Sequence, residues 1–188
     1  MTTYTLQYPP IQNETYVKAT TSYTPYFYPY YATDPTKSLI GDQASDEWIS
    51  SGGVSQNRFH IDLGTPTIIR RVYYENHHNS GAETTRGAKE FTIWGSNEAS
   101  SFAELTYATD TNWTQLVAGV TQFDIHISAN TEDPKYFLVT NTTDYRYYCI
   151  KISSDYGGGY CGLRRIVLMT EDGYPPESGG FIPRVIIF

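Results

Sequence analysis

The stretch Asn57–His78, NRFHIDLGTPTIIRRVYYENHH, decides the fold. Phe59, Ile61 and Leu63 alternate with Arg58, His60 and Asp62, the period-two pattern of a strand with one buried face. Gly64-Thr65-Pro66 predicts a turn. A second β-branched and aromatic run begins at Ile68 and Ile69 and passes through Val72, Tyr73 and Tyr74. It spills into a polar loop, Glu75 to Lys89, that holds Asn76, His77, His78 and Arg86. Strands that pack a core and a loop that meets a ligand are the expectation.

The same alternation recurs outward from this stretch. Phe91 and Ile93 oppose Thr92 and Trp94. Phe123, Ile125 and Ile127 oppose Asp124 and His126. Tyr148, Ile150 and Ile152 oppose Cys149 and Lys151. Tyr16–Ser22, Glu47–Ser50, Trp113–Val117, Tyr136–Val139 and Leu163–Met169 read as further extended pieces, and Asn97–Asn112 as an irregular loop. Helical spacing is almost absent. About nine short strands between turn signals predict an all-β, antiparallel β-sandwich or barrel.

The organisation expected is a single domain over residues 16–170, an extended N-terminal arm over 1–15, and a linker and apolar tail over 171–188. Pro9 and Pro10 forbid helix in the arm. The tail's Phe181, Ile182, Val185, Ile186, Ile187 and Phe188 would invite edge pairing if exposed. Docking on its own sandwich or on a neighbouring subunit is expected of it.

At 188 residues the chain can bury a core without metal or disulfide support. Only 39% of it is hydrophobic, but 18 tyrosines add ring area with a polar tip. The net charge of −7 and the lack of a Lys/Arg cluster argue against nucleic-acid and anionic-membrane partners. No run approaches the roughly 18 to 20 apolar residues of a membrane span. The start, MTTYTLQYPP, lacks the basic and apolar regions of a signal peptide. A virion or other extracellular surface, reached by another route, is the expected location. Cys149 and Cys161 bracket a possible turn, which leaves a hairpin disulfide and two free thiols both open.

Six motifs in order resemble the discoidin, or coagulation-factor type C, family of galactose-binding-like jelly rolls. They are Trp48-Ile49-Ser50, Phe59–Gly64, Ile68–Tyr74, Phe91–Asn97, Trp113–Leu116 and Arg146–Ile150. The resemblance runs from about Tyr16 to Thr170 and implies a jelly roll of about eight core strands. Its loops at one end would bind glycans, lipids or proteins. Sugar-binding members carry a closing-strand Glu that helps hold a structural calcium. Here the matching stretch is Leu163-Arg164-Arg165-Ile166, and arginine is a donor that cannot ligate a cation. Asp34, Asp42 and Asp46 could still supply oxygens for calcium in the first acidic loop. The expectation is no cofactor, with calcium disfavoured.

Sugars are held by polar groups for their hydroxyls and by an aromatic face against the C–H side of the ring. Asn76, His77, His78 and Arg86 supply the polar groups. The resemblance points most directly to Arg86. Tyr156 and Tyr160, in the glycine-rich DYGGGYC loop, are candidate aromatics, as are Tyr30 of the YTPYFYPYY run and Trp48. The structural alternative for each is a packing role. No nucleophile elbow, phosphate loop or zinc motif is present, so the chain does not read as an enzyme. A glycan-binding adhesion module shown in many copies, as on a phage tail or capsid, is the first functional expectation. The alternative is a structural or decoration protein of a virion, joined to neighbouring subunits through its terminal arms.

Overall fold

The computed structural model describes residues 2–54 and 56–173. Among them, eleven strands form two antiparallel sheets packed as a sandwich. The first sheet orders β1 (Tyr4–Gln7), β11 (Gly162–Glu171), β5 (Arg71–Asn76) and β9 (Lys135–Leu138), with β3 (Trp48–Ile49) added to β11. The second orders β2 (Val17–Ala19), β4 (Asn57–Thr67), β10 (Tyr145–Ile152), β6 (Glu90–Ser96) and β7 (Thr114–Gln115), with β8 (Thr121–Gln122) on β6. The sandwich expected from the alternation is the architecture observed.

Alternation built the core as read in three strands. Phe59 and Ile61 of β4, Phe91 and Ile93 of β6, and Tyr148, Ile150 and Ile152 of β10 enter one buried cluster. Val72, Tyr74, Ile166 and Leu168 close it from the facing sheet. Truncating Ile150, which is fully buried, to alanine would cost about 2–5 kcal/mol.

Three local expectations need correction. Gly64-Thr65-Pro66 is not the turn, because β4 runs on to Thr67. Gly64 instead takes φ +77° and accommodates an irregularity opposite the Tyr145–Tyr147 step of β10. Residues 97–112 are not wholly irregular, since Ala99–Ala103 form a short helix, α1. The helix places Phe102 beside Trp113, Tyr147 and Cys149 on the outer side of the second sheet. After Phe123 the expected faces invert: Ile125 and Ile127 are exposed and His126 is buried. His126 turns inward because its ring stacks on His78 at 3.9 Å and hydrogen-bonds the Ile127 and Thr131 carbonyls.

Residues 4–7, within the stretch read as an arm, pair with β11 from Tyr4 opposite Glu171 to Gln7 opposite Leu168. Phe181, Ile182, Val185, Ile186, Ile187 and Phe188 lie outside the described residues. Cys149 and Cys161 are buried thiols not joined in a disulfide, one in the cluster around α1 and the other in the main core.

Candidate carbohydrate-binding cleft

Three connections meet at one end of the sandwich. The β2–β3 segment brings Tyr23, Phe27 and Gln43, the β5–β6 loop brings Arg86, and the β10–β11 loop brings Tyr160. With Ile49 they line a cleft of about 180 Å³. The Arg86 guanidinium carbon stands 5.0 Å from the centre of the Tyr160 ring. Tyr23 meets the same ring edge-on, with centroids 6.3 Å apart, and is half exposed. Glu83 holds Arg86 at 2.5 Å, one turn back in the short 3₁₀ turn Thr84–Arg86.

The backbone fixes these side chains. Tyr23 N–H donates to the Ile49 carbonyl at 2.8 Å, and Gly158 N–H to the Thr85 carbonyl at 3.0 Å. Gly158 has to be glycine for that contact, because a Cβ there would lie 2.7 Å from the Arg86 nitrogen. The β10–β11 loop therefore presses directly on the turn that carries Arg86. An aromatic wall crossed by a planar guanidinium can stack a sugar ring and donate to its oxygens.

Of the residues expected to touch a ligand, the cleft brings together Arg86 and Tyr160. Asn76, His77, His78 and Trp48 are buried, which corrects the expectation of direct contact. Each is engaged internally. Asn76 donates to the Ala88 and Asp124 carbonyls, both at 2.8 Å. His77 Nδ1 faces Glu47 Oε2 at 3.0 Å. His78 Nε2 donates to the Leu39 carbonyl while its Nδ1 accepts from Gly81 N–H, and burial draws its pKa down to about 4. Trp48 Nε1 donates to the Thr21 carbonyl at 3.0 Å.

Tyr156 and Tyr30 lie apart from the cleft. Tyr156 donates to the Phe123 carbonyl, and Lys89 sits over its ring at 5.4 Å. Tyr30 packs on the core beside Tyr28 at 5.3 Å, and burial with Tyr31 nearby pushes its phenol up to about 12. The residues the sequence reading missed are Tyr23, Phe27, Gln43 and Ile49. The aromatic run was the one signal available for the first two.

The acidic loop does not form a calcium site. Arg164 of β11 fills the place where its carbonyls converge, donating to the oxygens of Ser38, Ile40, Gly41, Asp42 and His78 at 2.7–3.3 Å. Five carbonyls around one fixed cation leave no room for a hard metal ion and no need of its charge. Asp34, Asp42 and Asp46 accept from nearby backbone N–H groups instead of converging, which corrects their reading as candidate ligands. Among the described residues no three His, Cys, Asp or Glu side chains gather as metal ligands.

No protein-family model and no curated protein matches the chain. Solved structures do. Truncated AlyQ with CBM32 and alginate lyase domains aligns at TM-score 0.59 and 16% identity, over 94% of this chain and 36% of that one. Chitosan-binding module 1 of a Paenibacillus sp. IK-5 chitosanase/glucanase aligns at 0.53 and 18%, over 81% and 92%. The family 32 CBM of NanJ from C. perfringens, in complex with galactose, aligns at 0.55 and 10%, over 82% and 92%. The fold is the antiparallel β-sandwich jelly roll that these structures share. As the spans show, the jelly roll corresponds to whole binding modules in two of these proteins and to about a third of the length of the first. In this jelly roll Arg86 and Tyr160 stand in loops at one end, beyond the sheets that carry the core.

Proposed function

We propose that the protein is a non-catalytic carbohydrate-binding module and that the cleft of Tyr23, Phe27, Gln43, Arg86 and Tyr160 is its glycan site. One observation carries the reading: Arg86 standing 5.0 Å over the Tyr160 ring, with Tyr23 set edge-on against it. That geometry offers a pyranose a stacking wall and charged donors at once. The likeness in fold to a chitosan-binding module and to a family 32 CBM in complex with galactose supports it. Their ligands differ from one another, so the reading commits to saccharides as a class.

A shallow site with a few aromatics binds weakly, and many linked copies raise its effective strength. We therefore propose multivalent display on a virion or other extracellular surface, with a cell-surface glycan as partner. The alternative, a scaffold that joins subunits through its ends, rests on residues 1–15 and 181–188. Tyr4–Gln7 are already hydrogen-bonded within their own sheet, which leaves that alternative less to work with.

A glycan array probed with a multivalent wild-type sample and with Arg86→Ala tests the proposal. Wild type should bind a defined glycan set, and Arg86→Ala should lose it. No binding by multivalent wild type would overturn the function, and binding indifferent to Arg86→Ala would move the site.

A further inference from the structure

The outer face of the first sheet is unlike an ordinary solvated sandwich face, where polar residues alternate outward. Tyr73 of β5 pairs with Val167 of β11 on one side and Tyr136 of β9 on the other. The next row on that face sets Leu6, Met169, Arg71 and Leu138 side by side. Leu6, Tyr136 and Leu138 are 46%, 47% and 65% exposed, so the face is an open apolar and aromatic surface. A groove of about 230 Å³ runs along it, lined by Leu6, Tyr8, Tyr73, Tyr136, Arg165 and Val167.

Two arginines flank this groove without a direct ion pair to a carboxylate among the described residues. The chain carries a net charge of −7, and its other described arginines are matched. Arg58, Arg70, Arg86 and Arg146 pair with carboxylates, and Arg164 fills its carbonyl cage. Arg71 and Arg165 have no carboxylate within ion-pair distance among the described residues. Arg71 lies 3.8 Å over Tyr136 and 4.9 Å from Tyr4. Arg165, only 5% exposed, donates from Nη2 to the Lys37 carbonyl at 2.7 Å, while its Nε–H has no partner. Nη1 likewise makes no hydrogen bond to the described residues. The nearby carboxylate of Glu75 is engaged, accepting from Tyr73 Oη and Asp133 N–H, both at 2.7 Å.

An arginine kept buried with unused donors holds a positive charge that a ligand anion would complete. Tyrosine rings beside it suit the C–H face of a sugar. We propose that this groove is a second binding site, for an acidic oligosaccharide whose carboxylates meet Arg165 in the groove and Arg71 over Tyr136 beside it, and whose ring packs on Tyr73 and Tyr136. The site lies on a sheet face rather than at the loop end, and it stands whether or not the cleft at Arg86 binds glycan.

Isothermal titration calorimetry of the full chain with a galacturonate tetramer, and with its methyl ester as a neutral control of the same shape, tests the proposal. The acid should bind, and high salt should weaken it. The ester should bind about tenfold less tightly or worse, and so should the acid to Arg71→Gln or Tyr136→Ala, two side chains outside the core. The absence of binding by the acid would overturn the proposal, as would equal binding of the ester. Binding lost with Arg86→Ala but kept with Arg71→Gln would place the acid at the loop-end cleft and overturn it too. Tighter binding of a glutamate-rich peptide than of the saccharide would overturn it in favour of an acidic protein partner.

Discussion

Arg164 Nη1 donates to the His78 carbonyl oxygen at 2.7 Å and so ties the closing strand to the β5–β6 loop. The same guanidinium collects four more carbonyls from residues 38–42. One side chain therefore organises two loops at the cleft end. Arg164→Met would leave those carbonyls without their donor around a fully buried side-chain position. A loss of about 3 kcal/mol or more in urea unfolding is expected. Because the cation belongs to the chain, EDTA should leave the wild-type melting temperature unchanged. A drop on adding EDTA, or a variant as stable as wild type, would show that the cage is not held this way.

His60 should remain neutral in mildly acidic solution. Its Nδ1–H donates to the Phe102 carbonyl, its Nε2 accepts from Arg58, and burial draws its pKa from 6.5 down to about 3. Between those values the unfolded chain binds the proton and the folded chain does not. His60's contribution to stability therefore falls as pH drops through that window. Glu47 and Glu75, whose carboxyls burial pushes up, act in the opposite sense, so a bulk melt mixes the effects. Imidazole NMR separates them. The His60 ring signals should stay flat from neutral pH to about 4, and a midpoint near 6.5 would contradict the burial argument.

Neither cysteine should react in the folded protein. Burial pushes both thiols up to about 12, far from the reactive thiolate. Ellman's reagent should label neither under native conditions and both after unfolding. Rapid native labelling would show an exposed thiol, and no labelling after unfolding would show a disulfide.

Gly158→Ala tests the contact that sets Arg86 in place. The new methyl carbon would meet the Arg86 nitrogen at 2.7 Å and the Thr85 carbonyl carbon at 2.8 Å, so one loop must move. Glycan affinity should fall about tenfold, while the melting temperature changes little because the contact lies at the rim. Unchanged affinity would mean that the cleft tolerates a displaced Arg86.

The sandwich was legible because burial on one face imposes period two. Phe59/Ile61, Phe91/Ile93 and Tyr148/Ile150/Ile152 carry that period and point inward. The rule failed at Ile125–Ile127, where the stack of His126 on His78 outweighs the isoleucines. The site was legible at Arg86 and Tyr160 and misread beside them. His77 and His78 look like ligand groups in a polar loop, but their partners are Glu47 and the Leu39 carbonyl, far back in the chain. Local sequence holds no trace of those contacts. Gln43 carried no signal at all, since only folding brings it to the cleft.

The most direct test of the cleft is a backbone and side-chain NMR titration with a glycan selected on the array. Shifts concentrated at Tyr23, Phe27, Gln43, Arg86 and Tyr160, and abolished by Tyr160→Ala, are the result this account predicts. Shifts centred elsewhere on the sandwich, with these residues unmoved, would contradict it.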